Sequence, residues 1–315
     1  MTARPTVAIL DDYQNVAMRM ADWTPVSDRA DITVFNDHVA DNDRLIERLT
    51  QFDVVLVMRE RTPLPRSVIE RLPRLKMIAS TGPFNASIDM EAASEHGIHV
   101  GTTGGTIAST VELTWALILS ASRNLAAESQ SVRSGGWQTS VGRELAGRVL
   151  GVLGLGNIGK RVARVGAAFG MDVIAWSQNL TEEAAKSAGA RYVDRRHLFE
   201  HSDILTVHLK LSDRSRNLVG ADELALMKPT ALLVNTSRGA IIDESALVDA
   251  LRSQSIGGAA LDVFDTEPLP DGHQLRSLDN VLATPHIGYV ADTPYRIFFR
   301  DAVTAISAWL DDREK

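Results

Sequence analysis

Short β-branched runs recur along the chain, with helix-patterned segments between them. The runs are TVAILDD (6–12), DITVF (31–35), DVVLVMR (53–59), LKMIAS (75–80) and IHVGT (98–102). Between them lie NDRLIERL (42–49), PRSVIERL (65–72) and DMEAASEH (89–96). Apolar strands that alternate with helices predict a parallel sheet covered on both faces. A second series begins at Arg148, with strands expected at 148–153, 172–176, 203–208, 231–235, 258–263 and 280–284. Between the two series, TIASTVELTWALILSASRNLAAESQ (106–130) reads as one long helix. Its centre is apolar almost all round, so it is expected to be buried between layers or domains. Residues 291–315 read as a last helix that packs back on the first half. The two halves look like two versions of one α/β architecture.

The second series opens with VLGVLGLGNIGKRVARVGAAFGMDVIAWS (149–177), in which Gly154, Gly156 and Gly159 have G-x-G-x-x-G spacing. A strand precedes the glycines, a helix follows, and a second strand comes within about thirty residues, which is the frame of a dinucleotide site. Gly154 permits the tight turn, Gly156 lets backbone approach a pyrophosphate, and Gly159 lets helix and strand pack closely. The helix start then offers free amides, those of Asn157 and Ile158, and a partial positive charge. The following strand should end on an acid that holds the adenosine ribose, and here it ends on Ser177.

Composition narrows the partners. The chain has 315 residues, enough for two domains, and a net charge of -7, which supplies no basic field for nucleic acid. It contains no cysteine, which excludes disulfides and zinc–thiolate sites and fits a reducing compartment. MTARPTVAILDD lacks a signal-peptide core, and the apolar run LTWALILSA is too short to span a bilayer. A soluble, cytoplasmic protein is expected. His197 and His201 have i, i+4 spacing, but no third ligand is apparent, so no metal is expected.

Three later stretches, NTSRGAIIDESAL (235–247), AALDVFDTEPLP (259–270) and ATPHIG (283–288), carry a family pattern. With TTGGTIASTVELTWALILSASRNL (102–125) and GGWQTSVGRELAGRVLGVLGLGNIG (135–159), the chain resembles the D-isomer-specific 2-hydroxyacid dehydrogenases over essentially its whole length. The resemblance implies an α/β fold of two domains. A Rossmann-type NAD(P)-binding domain would span 102–288, and a flavodoxin-like substrate (catalytic) domain would take 1–101 and 289–315. It implies an oxidoreductase that moves hydride between NAD or NADP and a small 2-keto or 2-hydroxy acid. It also implies a homodimer, through the 106–130 helix and the Trp137 element.

The family's catalytic arginine falls on Arg238, its glutamate on Glu267 and its histidine on His286. These residue types suit the chemistry. A keto acid that accepts hydride needs a proton, and histidine is the natural donor. A carboxylate on its other nitrogen fixes the tautomer and favours the imidazolium. An arginine fork binds the substrate carboxylate and polarises the carbonyl. By the same resemblance Asp262 contacts the nicotinamide carboxamide, Thr236 and Arg238 frame that ring, and Leu209 covers the adenine. His286 and Gly288 border the cofactor. Lys210 stands where relatives have a proline.

The first half departs from the pattern. STGPFNASID (80–89) keeps Gly82 and Asp89, but Phe84 fills a glycine position and Ala86–Ser87 replace Asp-Asn. The backbone amides of Thr81 and Gly82 are expected to cradle a carboxylate, with Arg59 as the basic member of the substrate loop and Arg61 as a second charge. Lys160, Arg161 and Lys210 are the candidate cations for a 2′-phosphate. No regulatory domain is expected in the roughly thirty residues after His286. Two other readings share the fold. One is a formate dehydrogenase-like enzyme, in which glutamine replaces the glutamate, so Glu267 argues against it. The other is an NAD(H)-sensing corepressor-like binding protein, which keeps the triad but is expected to need terminal extensions for its partners.

Overall fold

The computed structural model describes residues 4–313. The chain divides into two compact units, one running to Thr106 and resuming at Ala291, the other spanning Ile107–Val290.

The first unit is built on five parallel strands: β1 (Thr6–Ile9), β2 (Asp31–Val34), β3 (Val54–Val57), β4 (Met77–Ser80) and β5 (His99–Thr102). Their order in the sheet is β2-β1-β3-β4-β5, that of a flavodoxin-like fold. β3 and β4 are buried at every position, which is why their sequences read as unbroken apolar runs. The last helix, Asp292–Arg313, belongs to this unit and buries Phe298, Phe299, Ala302 and Ile306. Phe299 meets the Trp23 ring at 6.3 Å and the Tyr295 ring edge-on at 5.8 Å.

The second unit carries seven parallel strands: β6 (Val149–Leu153), β7 (Asp172–Trp176), β8 (Arg191–Tyr192), β9 (Ile204–Val207), β10 (Leu232–Asn235), β11 (Gly258–Leu261) and β12 (Val281–Ala283). Their order is β12-β11-β10-β9-β6-β7-β8, so the connection direction reverses between β6 and β9. That is the arrangement of a dinucleotide-binding sheet with one added edge strand. Successive residues feed opposite cores. Leu153, Leu205, Leu233 and Leu261 pack with Phe199 and Leu251 on one face. Leu150, Val152, Val234 and Ala260 pack with Trp115, Ile118 and Val162 on the other.

Two expectations are corrected. Six strands were expected here and seven form, because β8 has only two residues and too few positions to show a period. The single helix expected over 106–130 is two. Ala108–Ser122 is buried against the sheet, and Leu125–Arg133 contains no buried residue. Asn124 breaks them, with a left-handed φ of 51°. The chain then folds back, so that the Arg143 amide caps the Ser122 carbonyl at 2.7 Å and the Asn124 side chain donates to Ser140 at 2.9 Å. The apolar pattern that motivates one helix fades at the same place, in Ser122-Arg123-Asn124. Among the described residues no helix is long and apolar enough to cross a membrane.

His208 follows β9, with its ring nitrogen 2.9 Å from Thr206 Oγ1. Burial pushes this ring down to about 3. An unfolded histidine titrates near 6.5, so between about 6.5 and 3 the unfolded chain binds a proton that the folded chain refuses. Stability is therefore intact above that window and falls as pH drops through it, by up to about 1.4 kcal/mol per pH unit from this group. Urea unfolding of His208→Gln at pH 7 and pH 5 should show a smaller acid loss than wild type. Equal losses would contradict this.

Candidate active site

The expected site residues of the second unit each follow a strand end. Gly154 comes directly after β6, Ser177 after β7, His208–Leu209 after β9, Thr236 after β10 and Asp262 after β11; His286 lies three residues past β12. Because the strands are parallel, these positions share the carboxyl edge of one sheet, where open α/β sheets take ligands. The recess lined by Arg143, Arg148, Asp203 and Asn280 lies at the opposite strand ends and is separate from this site.

The glycine turn is shaped by close approach. A Cβ on Gly154, whose φ is 101°, would fall 2.8 Å from the His208 backbone; one on Gly159 would fall 2.1 Å from the Gly154 carbonyl oxygen. Gly156 faces open space. It precedes helix Asn157–Ala168, whose first amides receive no side-chain cap. Amides of Asn157 and Ile158 without a side-chain cap, a bare Gly156 and the positive end of a twelve-residue helix fit a pyrophosphate.

Arg238 is fixed by its own turn. The Asn235 amide donates to the Arg238 carbonyl at 2.9 Å, and its oxygen accepts from the Ser237 amide at 3.0 Å. Ser237 Oγ donates to the Leu209 carbonyl, tying this turn to the loop after β9. Gly239 is pressed on the next loop, since a Cβ there would lie 2.1 Å from the Phe264 carbonyl carbon. The Arg-Gly pair of the motif thus sets one loop against the other. Thr236 Oγ1 is engaged at 2.8 Å with Thr114 Oγ1, which leaves its backbone to border a ligand.

Glu267 and His286 are paired as a carboxylate and an imidazole, an arrangement suited to acid–base chemistry. The Phe264 amide donates to Glu267 Oε1 at 2.9 Å, and Glu267 Oε2 lies 2.6 Å from His286 Nδ1. With Nδ1 held by the carboxylate, Nε2 is the nitrogen left to exchange a proton with a substrate. His286 has a φ of 50°, the left-handed region, and its ring meets Tyr289 edge-on at 5.4 Å. Asp262 holds that backbone in place. Its Oδ1 accepts from Thr284 Oγ1 at 2.6 Å and the Ile287 amide at 2.8 Å, and its Oδ2 accepts from the Gly288 amide at 2.8 Å. Asp262 is fully buried. Burial pushes its carboxyl above the usual carboxylate range, against those hydrogen bonds and the nearby His286.

In the first unit the expected amide cradle does not form. The Thr81 amide donates to the Val57 carbonyl at 3.1 Å, and the Gly82 amide to Thr103 Oγ1 at 2.7 Å. Both donors are consumed in joining neighbouring strand ends. Arg59, with φ 53°, lies over Gly82, where a Cβ would fall 2.1 Å from Nη1. Asn85, absent from the sequence-based list, organises the loop. It donates to the Arg59 carbonyl at 2.6 Å and to Ser80 Oγ at 3.1 Å, and accepts from the Ser87 amide at 2.9 Å. Asp89 caps helix Met90–Glu95 through the Ala92 amide. Arg61 is held by the Asp11 carbonyl at 2.7 Å and stacks 4.6 Å above Tyr13, so it is not simply solvated. The His197 and His201 rings stack at 3.7 Å, and no group of three potential metal ligands occurs among the described residues.

Comparison with known proteins agrees with this geometry. The family profile described as "D-isomer specific 2-hydroxyacid dehydrogenase, NAD binding domain" matches residues 115–288. A glyoxylate reductase of Aeropyrum pernix is 45% identical over 229 residues, covering 70% of this chain and 68% of that protein. A D-3-phosphoglycerate dehydrogenase of Methanocaldococcus jannaschii is 41% identical over 250 residues; these make up 78% of this chain but 47% of that protein, about half its length. Among solved structures, a phosphoglycerate oxidoreductase from Vibrio cholerae superimposes with a TM-score of 0.93 at 38% identity, covering 98% of this chain and 100% of that one.

Proposed function

The chain belongs to the D-isomer specific 2-hydroxyacid dehydrogenases, and from that membership and the Arg238–Glu267–His286 geometry we propose that it acts as a reductase of small 2-keto acids. It is an oxidoreductase acting on CH–OH donors with a nicotinamide cofactor, and its second unit is an NAD-binding fold. The bound nicotinamide supplies or accepts the hydride. The substrate class proposed is glyoxylate, hydroxypyruvate or a phosphorylated relative, in line with the names of similar enzymes.

The observation that carries the reading is the 2.6 Å contact between Glu267 and His286 Nδ1. Protonated His286 gives its Nε2 proton to the carbonyl oxygen of the keto acid, where alkoxide charge develops, and takes it back in the oxidative direction. Glu267 stabilises the imidazolium and is itself oriented by the Phe264 amide. Arg238 binds the substrate carboxylate and draws charge onto the carbonyl oxygen. In the first unit, Arg59 is proposed to hold an anionic group of the substrate through its guanidinium, with Thr81 and Gly82 shaping the loop beneath it.

A homodimer is also proposed. Helix Leu125–Arg133 and the segment after it expose Leu125, Val132, Trp137 and Val141, an apolar stretch suited to cover by a second copy. The cysteine-free composition fits a reducing compartment, and the cytoplasm is the location proposed. Light scattering should give about twice the 34.3 kDa chain mass, and a monomer mass at micromolar concentration would rule the dimer out.

Reduction of glyoxylate, hydroxypyruvate and other 2-keto acids, followed by loss of nicotinamide absorbance, tests the activity. His286→Ala should lower kcat by ~100-fold or more while nucleotide affinity stays near wild type. In Glu267→Gln the carboxylate that orients His286 through Nδ1 is lost, so kcat should fall while nucleotide affinity stays near wild type. Arg238→Lys should raise KM and lower kcat together. His286→Ala activity within about tenfold of wild type would refute the proton-donor role.

A further inference from the structure

Ser177 stands where a dinucleotide fold usually places the acid that binds the adenosine ribose, and the residues gathered around it point to a different recognition. The loop after β9 crosses the end of β6 to reach the end of β7. There the Gln178 side chain donates to the Arg214 carbonyl at 2.9 Å, and Arg214 Nη2 lies 3.4 Å from Asn179 Oδ1. The loop is internally braced. Buried Ser215 donates through Oγ to the Lys210 carbonyl at 2.7 Å and accepts from the Ser212 amide at 2.8 Å. Its entry is tied down where Ser237 binds the Leu209 carbonyl. Arg214 is exposed, and its carbonyl meets the side chain of Gln178, the neighbour of Ser177, from thirty-six positions away in sequence.

We propose that Arg214, with Ser177 and Asn179, forms a binding site for the 2′-phosphate of NADP(H), which makes the phosphorylated dinucleotide the preferred cofactor. The inference rests on the nucleotide-binding role assigned above to the second unit. Arg214 contributes a permanent charge and a planar fork of donors that matches a phosphate. Ser177 contributes a hydroxyl donor and no repelling carboxylate. The Asn179 oxygen faces Arg214, which directs its two amide hydrogens towards other acceptors. Arg195, also near this strand end, is already committed. Arg195 lies 5.9 Å from the Trp176 ring but bonds Glu223 at 2.7 Å and the Leu218 carbonyl at 2.8 Å. Arg214 is thus a further cation for this site beside the candidates Lys160, Arg161 and Lys210.

Calorimetric titration of the full chain with ADP-ribose and with 2′-phospho-ADP-ribose tests this without any turnover. Wild type should bind the phosphorylated probe at least ~10-fold more tightly, and the advantage should shrink as salt is raised. Arg214→Ala should remove most of that advantage while ADP-ribose affinity stays within about twofold, and Arg214→Lys should restore part of it. An Arg214→Ala protein that keeps the preference, or that loses affinity equally for both probes, would overturn the assignment and leave the nucleotide-binding reading intact. A wild type that binds ADP-ribose but shows no preference would do the same. If wild type bound neither probe, the nucleotide-binding reading would fail and the assignment with it.

Discussion

The Asp262 carboxylate, buried at the end of β11, is the interaction on which the site depends. It gathers Thr284, Ile287 and Gly288 into one set of hydrogen bonds and so fixes the backbone on both sides of His286. A non-glycine residue with φ 50° carries a conformational cost that only its surroundings can offset. Here three hydrogen bonds to one buried acceptor hold it. Desolvation works against the charge and the bonds work for it, which is why the carboxyl rises above its usual range although it is well partnered. Once the loop is fixed, the ring can meet Glu267 through Nδ1 and leave Nε2 for chemistry.

The rest of the site follows from sheet order. Parallel strands deliver each loop to one edge, and backbone contacts then lock neighbouring loops together. Gly239 against Phe264 joins the Arg238 turn to the loop that carries Glu267. Ser237 against Leu209 joins it to the loop after β9, and His208 against Gly154 joins that loop to the glycine turn. The side chains proposed for catalysis therefore share a rigid frame made mostly of main chain. Rigid placement of this kind lets a donor and an arginine act on one carbonyl without reorganising as charge moves.

Much of this was legible in the sequence. The buried strands announce themselves as apolar runs, and the glycine spacing, Arg-Gly pair, Glu-Pro and Pro-His elements mark the candidate site residues that the sheet brings to one edge. What escaped was set by short or distant contacts. β8 is two residues long, below any period. The break at Asn124 depends on Arg143 returning to cap Ser122. The amides of Thr81 and Gly82 looked available because nothing local reveals that Val57 and Thr103 take them. Asn85 bonds backbone on either side of itself, Asn235 bonds the backbone of the two residues Ser237 and Arg238 that follow it, and Arg214 reaches Asn179 across thirty-five positions of sequence. A motif read along the chain shows which residues arrive at an edge, but not which partners they find there.

The central claim is that Asp262 positions the proton donor through its hydrogen bonds to the His286 loop. Asp262→Asn keeps the size of the side chain but turns an amide N–H group towards the Gly288 or Ile287 amide, replacing an acceptor with a repelling donor. Single-turnover reduction of a 2-keto acid, with circular dichroism to confirm folding, measures the result directly. The hydride-transfer rate should fall by about 100-fold, the usual worth of a positioned general acid. A folded Asp262→Asn protein with a rate within about threefold of wild type would contradict the account.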